Sequence, residues 1–104
     1  MNNIKFAIKK SEEFLLWHKQ QIDIIQVAIA NRLARIDLQG HFGDHKKLIA
    51  EEPIFELRWT NGLRLYYAYL PEKNIIVLLG GTKHGQDKDI KKSCRILRRY
   101  RSGF

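Results

Sequence analysis

Residues 55–67, FELRWTNGLRLYY, contain two apolar segments separated by a turn, and each segment carries one arginine. The Asn-Gly pair between the segments is typical of a tight β-hairpin. A two-residue loop would place Trp59 opposite Arg64 and mix apolar and cationic residues on both faces of the sheet. A three-residue loop, closed by Gly62 in the left-handed region, places Arg58 opposite Arg64 instead. The sequence therefore predicts the longer loop.

This register sorts the hairpin side chains onto two faces of the sheet. The face predicted to join the core contains Phe55, Leu57, Trp59, Leu63, Leu65, Tyr67 and Tyr69, and the opposite face contains Glu56, Arg58, Arg64, Tyr66 and Ala68. Like charges that lie directly opposite one another are destabilising, so the two arginines are expected to hold an anion between them. Glu56 is one candidate for that anion. A phosphate group is the other, because guanidinium groups bind its oxygens bidentately.

Hydrophobic spacing predicts the remaining elements. Alternating apolar residues indicate an N-terminal strand over residues 3–8, and Ser11 is a typical helix N-cap. Residues 11–38 are then predicted to form either two helices or one bent helix. Their apolar stripe consists of Ile22, Ile25, Ile29, Leu33 and Ile36.

A glycine-containing loop follows, and the second half of the chain returns to strand patterns. Three strands are predicted over residues 54–59, 63–70 and 74–80, and a basic helix over residues 85–100. Short connections between the strands favour antiparallel hairpins. The order of elements predicts an α+β sandwich, with the N-terminal strand and two helices packed on an antiparallel sheet and a basic helix at the C-terminus.

The composition indicates one small, basic domain covering residues 1–104. The chain has 19 Lys and Arg against 11 Asp and Glu, a formal net charge of +8, and most of this excess lies in its last third. Such a charge favours a polyanion or an acidic protein as the partner. The single cysteine, Cys94, is expected to fill the core, and no Cys/His spacing predicts a metal or cofactor. Without a signal peptide or a membrane-spanning run, a cytoplasmic location is expected.

Three segments of this chain resemble one known superfamily. IFELRWTNGLRLYYAY at 54–69, IIVLLGGTKHGQDKDIKKSCRIL at 75–97 and RLARIDLQGHFGDHKKL at 32–48 are similar to the RelE/ParE toxins of type II toxin–antitoxin systems. Within that superfamily they most resemble the HigB-like, phage-related addiction module killer branch. The resemblance implies a toxin that cleaves mRNA at the ribosome without a metal. It also implies a cognate antitoxin, expected to be a helix-turn-helix DNA-binding protein.

The resemblance also points to four catalytic candidates. Arg58 matches a basic residue of the second strand, Arg64 matches the arginine after the hairpin turn, and Lys83 or His84 matches the basic residue past the last strand. The arginines suit stabilisation of the phosphorane, whereas Lys83 or His84 suits proton transfer. Some RelE toxins carry a catalytic tyrosine early in the final helix, where the nearest match in this sequence is Ile90. A mechanism that depends on that tyrosine is therefore not implied.

Several further residues are predicted to contact nucleic acid. They are Lys46, Lys47, Tyr66, Lys88, Arg95 and Arg98. His41 and His45, in the glycine loop, are either a second proton-transfer group or solvated loop residues. Two other functions stay open: a ParE-like inhibitor that binds DNA gyrase, and a non-catalytic RNA- or protein-binding relative. Inhibition of gyrase by protein binding does not require that Arg58, Arg64 and Lys83 lie close together.

Overall fold

The structure, a computed structural model, describes residues 6–103 of the chain. Its elements are β1 (Ala7–Lys10), α1 (Glu12–Lys19), α2 (Asp23–Gln39), β2 (His45–Lys47), β3 (Phe55–Arg58), β4 (Leu63–Leu70), β5 (Asn74–Thr82) and α3 (Gln86–Arg101), with a short 3-10 turn at Lys83–Gly85. Residues 3–5 of the predicted first strand lie outside the described part, and β1 continues to Lys10. No helix within residues 6–103 is both long enough and apolar enough to cross a membrane.

The N-terminal helical region consists of two helices rather than one bent helix. Ser11 caps α1 as predicted, because its hydroxyl accepts a hydrogen bond from the Phe14 N–H at 2.9 Å. The same hydroxyl donates to the Leu78 carbonyl at 2.7 Å, which fixes the start of α1 to the sheet. Ile22 was wrongly placed in the buried stripe of the second helix. It precedes α2 as its N-cap residue and is 69% exposed.

The sheet contains five strands in the order β1-β5-β4-β3-β2. The predicted antiparallel pairing of β3, β4 and β5 is confirmed, and at one edge of the sheet β1 runs parallel to β5. The edge strand β2 was missed, because its three consecutive polar residues, His45–Lys47, have no apolar alternation. The predicted β3–β4 register is confirmed: Arg58 pairs with Arg64, and Gly62 adopts a φ of +93°.

Helices cover both faces of this sheet. On one face, α1 and α2 contribute Phe14, Ile29, Leu33 and Ile36 to a core shared with Leu57, Leu65 and Tyr67. On the other face, α3 contributes Cys94, Ile96 and Leu97 to a second core shared with Tyr66, Ala68 and Leu78. The face that carries the arginines is therefore not open along its length. Arg58 and Arg64, where β3 stops and β4 begins, are not part of the apolar core under α3.

Candidate active site

The strand register gathers four of the predicted catalytic residues at one end of the sheet. Arg58, Arg64 and Gly81 lie side by side on β3, β4 and β5. The Lys83 N–H donates to the carbonyl of Gly62 at 2.8 Å, so the turn after β5 is fixed to the hairpin loop. Lys83 and the next residue, His84, are both exposed. Arg58, Arg64, Lys83 and His84 thus lie at the same end of the sheet.

Glu56 lies beneath the two arginines and is 2% exposed. Its Oε2 is 3.8 Å from Nη1 of Arg58, and its Oε1 is 3.8 Å from Nε of Arg64. These separations are ion pairs but exceed hydrogen-bond distance. Its close partner is Gln86, the first residue of α3, whose amide Nε2 donates to Oε1 at 2.7 Å. Glu56 therefore offsets the repulsion between the arginines without occupying their hydrogen-bond donors.

The two arginines differ in how firmly they are held. Nη1 of Arg64 donates to the carbonyls of Trp59 at 3.1 Å and Leu63 at 2.9 Å, and its side chain is 14% exposed. Arg58 is 35% exposed and donates through Nε and Nη2 to Oδ1 of Asp44, both at 3.3 Å. An ion pair this exposed contributes little stability, so an incoming phosphate can replace Asp44 as the partner of Arg58.

Arg32 supports this end of the sheet from the opposite face, and it was not among the site residues predicted from the sequence. Its guanidinium donates to the carbonyls of Phe42 at 2.9 Å, Asp44 at 2.8 Å and Arg58 at 2.9 Å. It also lies 4.5 Å from the centre of the Trp59 ring, in cation–π contact. Burial lowers the pKa of Arg32, and the nearby Asp44 opposes that shift.

The helical spacing contained a signal for this role. Arg32 follows Ile29 by three residues and precedes Ile36 by four, so it lies on the buried face of α2. Because it binds the carbonyls of Asp44 and Arg58, it joins α2, the glycine loop and the end of β3 at one point. The position of Arg58 in the candidate site thus depends on Arg32.

Tyr66 is fully buried, and we do not retain it as a residue that stacks on a base. Its ring belongs to the core beneath α3, and its hydroxyl forms no hydrogen bond with a described residue. Burial raises the pKa of Tyr66 to about 12, so the hydroxyl stays protonated at neutral pH. The period-two pattern placed Tyr66 on the correct face, but it did not show that α3 covers that face.

The cations of α3 fall into two groups. Arg98 pairs with Glu51 at 3.5 Å and Glu52 at 3.3 Å, so this predicted nucleic-acid contact already has internal partners. Arg101 pairs with Glu52 at 3.2 Å, and Arg99 pairs with Glu13 at 2.6 Å. The remaining four, Lys88, Lys91, Lys92 and Arg95, are exposed and pair with no carboxylate of the described residues. Their spacing places them along one side of the first half of α3.

The glycine-loop residues lie toward the other edge of the sheet. Lys46 and Lys47 are exposed on the edge strand β2. His45 forms a hydrogen bond between its Nδ1 and the Tyr67 hydroxyl at 3.0 Å, and His41 is exposed.

Among residues 6–103, no three His, Cys, Asp or Glu side chains lie close enough together to hold a metal ion.

Two solved structures of bacterial toxins share this architecture. Escherichia coli RelE, in a double arginine-to-alanine mutant solved in the free state, has a TM-score of 0.67 over 92% of this chain and 98% of RelE. The toxin–antitoxin complex RelBE2 of Mycobacterium tuberculosis contains a chain with a TM-score of 0.63, over 78% of this chain and 94% of that one. Each is 14% identical in sequence to this chain. The fold is therefore that of RelE toxins, and the predicted α+β fold is confirmed.

The sequence assigns the chain to a family within this class. Residues 9–101 match the model of the phage-derived Gp49-like proteins, so the chain belongs to the Gp49-like family. An uncharacterized protein of Haemophilus influenzae is 43% identical over 65 residues, which make up 60% of this chain and 62% of that relative. The match thus spans less than two thirds of the length of this curated relative.

Proposed function

We propose that the chain is the toxin of a type II toxin–antitoxin system and a metal-independent endoribonuclease that cleaves mRNA at the ribosome. The observation that carries this proposal is the convergence of Arg58, Arg64, Lys83 and His84 at one end of the sheet. Membership of the Gp49-like family and the RelE-like fold support the toxin assignment.

Each residue of the site has a role suited to its chemistry. Arg64, held by two backbone carbonyls, has a guanidinium of fixed orientation for a phosphate, which it binds through a donor other than its buried Nε. Arg58 exchanges Asp44 for a second phosphate oxygen. Together they stabilise the charge that develops on the phosphorane, an effect for which one donor typically contributes about 10²- to 10³-fold in rate. Lys83 or His84 donates the proton that the leaving 5′-oxygen needs.

The unpaired cations supply a path for the RNA backbone. Lys88, Lys91, Lys92 and Arg95 line α3, which begins directly after the Lys83–His84 turn. Lys46 and Lys47 extend the positive surface from the other edge of the sheet. A strand of RNA that follows these cations crosses the arginine pair, and binding that depends on them weakens as salt rises.

The proposed partners are the ribosome with its mRNA and a cognate antitoxin in the bacterial cytoplasm. The net charge of +8 fits both an RNA partner and an acidic antitoxin segment. One of the two structural neighbours is a toxin in complex with its antitoxin. For this chain we infer an antitoxin of the helix-turn-helix DNA-binding class, as in the HigB-like branch.

A translation reaction with purified ribosomes and a defined mRNA tests the function. Wild-type protein is expected to cleave the mRNA, detected by primer extension, only when ribosomes are present. A gyrase supercoiling assay run in parallel addresses the alternative function, and no inhibition is expected there. Intact mRNA together with blocked supercoiling would replace the nuclease assignment by gyrase inhibition. Intact mRNA with unaffected supercoiling would leave a non-catalytic binding protein.

A further inference from the structure

A cleft opens between α1 and α3 at the free edge of β5, the strand next to the one that carries Arg64. Because β1 pairs only with Asn74–Val77 of β5, the following residues of β5 have no neighbouring strand on that side. Their backbone therefore forms the floor of the cleft, which has a volume of about 540 Å³. Its lining includes Trp17, Gly80, Gly81, Lys88, Asp89 and Lys92.

Two glycines shape this floor. The ring of Trp17 packs on Gly80, and the carboxylate of Asp89 packs on Gly81, in each case where a β-carbon would lie. Gly81 is the direct cross-strand partner of Arg64, and side chains of such partners project from the same face. The Asp89 carboxylate therefore lies on the face of the sheet that carries both arginines, over the cross-strand partner of Arg64.

Asp89 is a half-buried carboxylate without a partner. Glu13, Glu52 and Glu56 each form a hydrogen bond or ion pair with an arginine or Gln86, whereas Asp89 forms neither with any described residue. An unpaired carboxylate of this kind reduces stability, and such groups are concentrated at functional sites. The cleft gives it access to solvent and to a ligand.

The surroundings of Asp89 have two opposite effects on the pKa of its carboxyl group. Burial raises the pKa of Asp89, while Lys88 and Lys92 on the same helix partly counteract that rise. Across the cleft lies Glu13 of α1, and the charge of Asp89 contributes to the raised pKa of the buried Tyr66 on β4. A carboxylate with a raised pKa is a stronger base, which suits it to accept a proton.

We propose that this cleft receives the ribonucleotide on the 5′ side of the scissile phosphate and that Asp89 accepts the proton of its 2′-hydroxyl. This inference rests on the proposed function. The 2′-oxygen forms a bond to phosphorus as its proton passes to Asp89, and the bond from phosphorus to the 5′-oxygen breaks. The leaving 5′-oxygen takes a proton from Lys83 or His84. The products are a 2′,3′-cyclic phosphate and a 5′-hydroxyl, with Asp89 returning its proton to solvent.

The test compares Asp89→Asn with Asp87→Asn in the ribosome-dependent cleavage assay. Asp87 lies in the same turn of α3 and is exposed outside the cleft, so it serves as the matched control. Asp89→Asn is expected to slow single-turnover cleavage at least about 100-fold, the lower end of general base effects. Asp87→Asn is expected to cleave at the wild-type rate. Asp89→Glu, which keeps a carboxylate, is expected to recover part of the activity.

The pH dependence separates catalysis from a structural role. In wild-type protein the cleavage rate is expected to rise with pH as Asp89 ionises, and Asp89→Asn is expected to lose this limb of the profile. If wild-type protein cleaves mRNA and Asp89→Asn keeps both its rate and its pH limb, the inference about Asp89 is wrong while the proposed function stands. If wild-type protein fails to cleave at all, both are overturned. Thermal unfolding of each variant verifies that it is folded.

Discussion

Replacing Arg32 with lysine tests how the candidate site is supported. The Arg32 guanidinium makes three hydrogen bonds to carbonyl oxygens at 2.8 to 2.9 Å, two in the glycine loop and one at the end of β3. Hydrogen bonds from a charged group each contribute about 1.5 to 3 kcal/mol. A lysine ammonium lacks the planar fork and retains about one of them. Because such losses are not additive, we expect Arg32→Lys to lower the free energy of unfolding by about 3 kcal/mol.

Urea denaturation followed by circular dichroism measures this loss. Domains of this size typically have about 5 to 15 kcal/mol of stability, so a loss of 3 kcal/mol shifts the midpoint clearly. Arg35→Lys is the matched control, since Arg35 is an exposed residue on the same helix, and its effect is expected to stay within about 0.5 kcal/mol. A loss below about 1 kcal/mol for Arg32→Lys would refute the idea that this guanidinium joins α2, the glycine loop and the end of β3.

Three further predictions concern the hairpin loop, Asp89 and the cations of α3. Gly62→Ala places a β-carbon on a residue whose φ is +93°. The melting temperature is therefore expected to fall by an amount corresponding to about 1 to 2 kcal/mol. An unchanged melting temperature would contradict the hairpin conformation. Burial raises the pKa of Asp89, so its ionised form destabilises the folded state at neutral pH. In urea denaturation, Asp89→Asn is therefore expected to be more stable than wild type at pH 7. This gain in stability is expected to vanish as the pH falls below the unfolded-state pKa of about 3.8. A loss of stability at pH 7 would indicate a structural role for Asp89. The double variant Lys91→Ala and Arg95→Ala is expected to bind single-stranded RNA more weakly in a filter-binding titration. The slope of log affinity against log salt concentration is expected to become less steep by about 1.4. An unchanged slope would show that this part of α3 does not contact the RNA.

The hairpin is the part of the fold that the sequence determines most directly. Loop length fixes register, and only the three-residue loop separates the apolar side chains from the two arginines. The convergence of Arg58 and Arg64 was therefore predictable from residues 55–67 alone. Ser11 was equally predictable as a cap, because its hydroxyl acts on a local backbone donor.

Packing between distant elements was harder to predict. The hairpin pattern alone does not show which helix packs on which face, so it could not show that α3 covers Tyr66. The role of Arg32 depends on three carbonyls, two of them in the glycine loop, which has no regular pattern. Asp89 meets Gly81 only because α3 turns back across the end of β5. In each case the contact depends on how separate elements pack together or on the path of an irregular segment.

The central claim is that the paired arginines stabilise charge during RNA cleavage. The most direct test is the single-turnover rate at which Arg64→Ala cleaves ribosome-bound mRNA, compared with wild type and with Arg64→Lys. We predict a loss of about 100-fold or more for Arg64→Ala, and partial recovery for Arg64→Lys, in protein whose circular dichroism spectrum matches wild type. Folded Arg64→Ala protein that cleaves within twofold of the wild-type rate would contradict the claim.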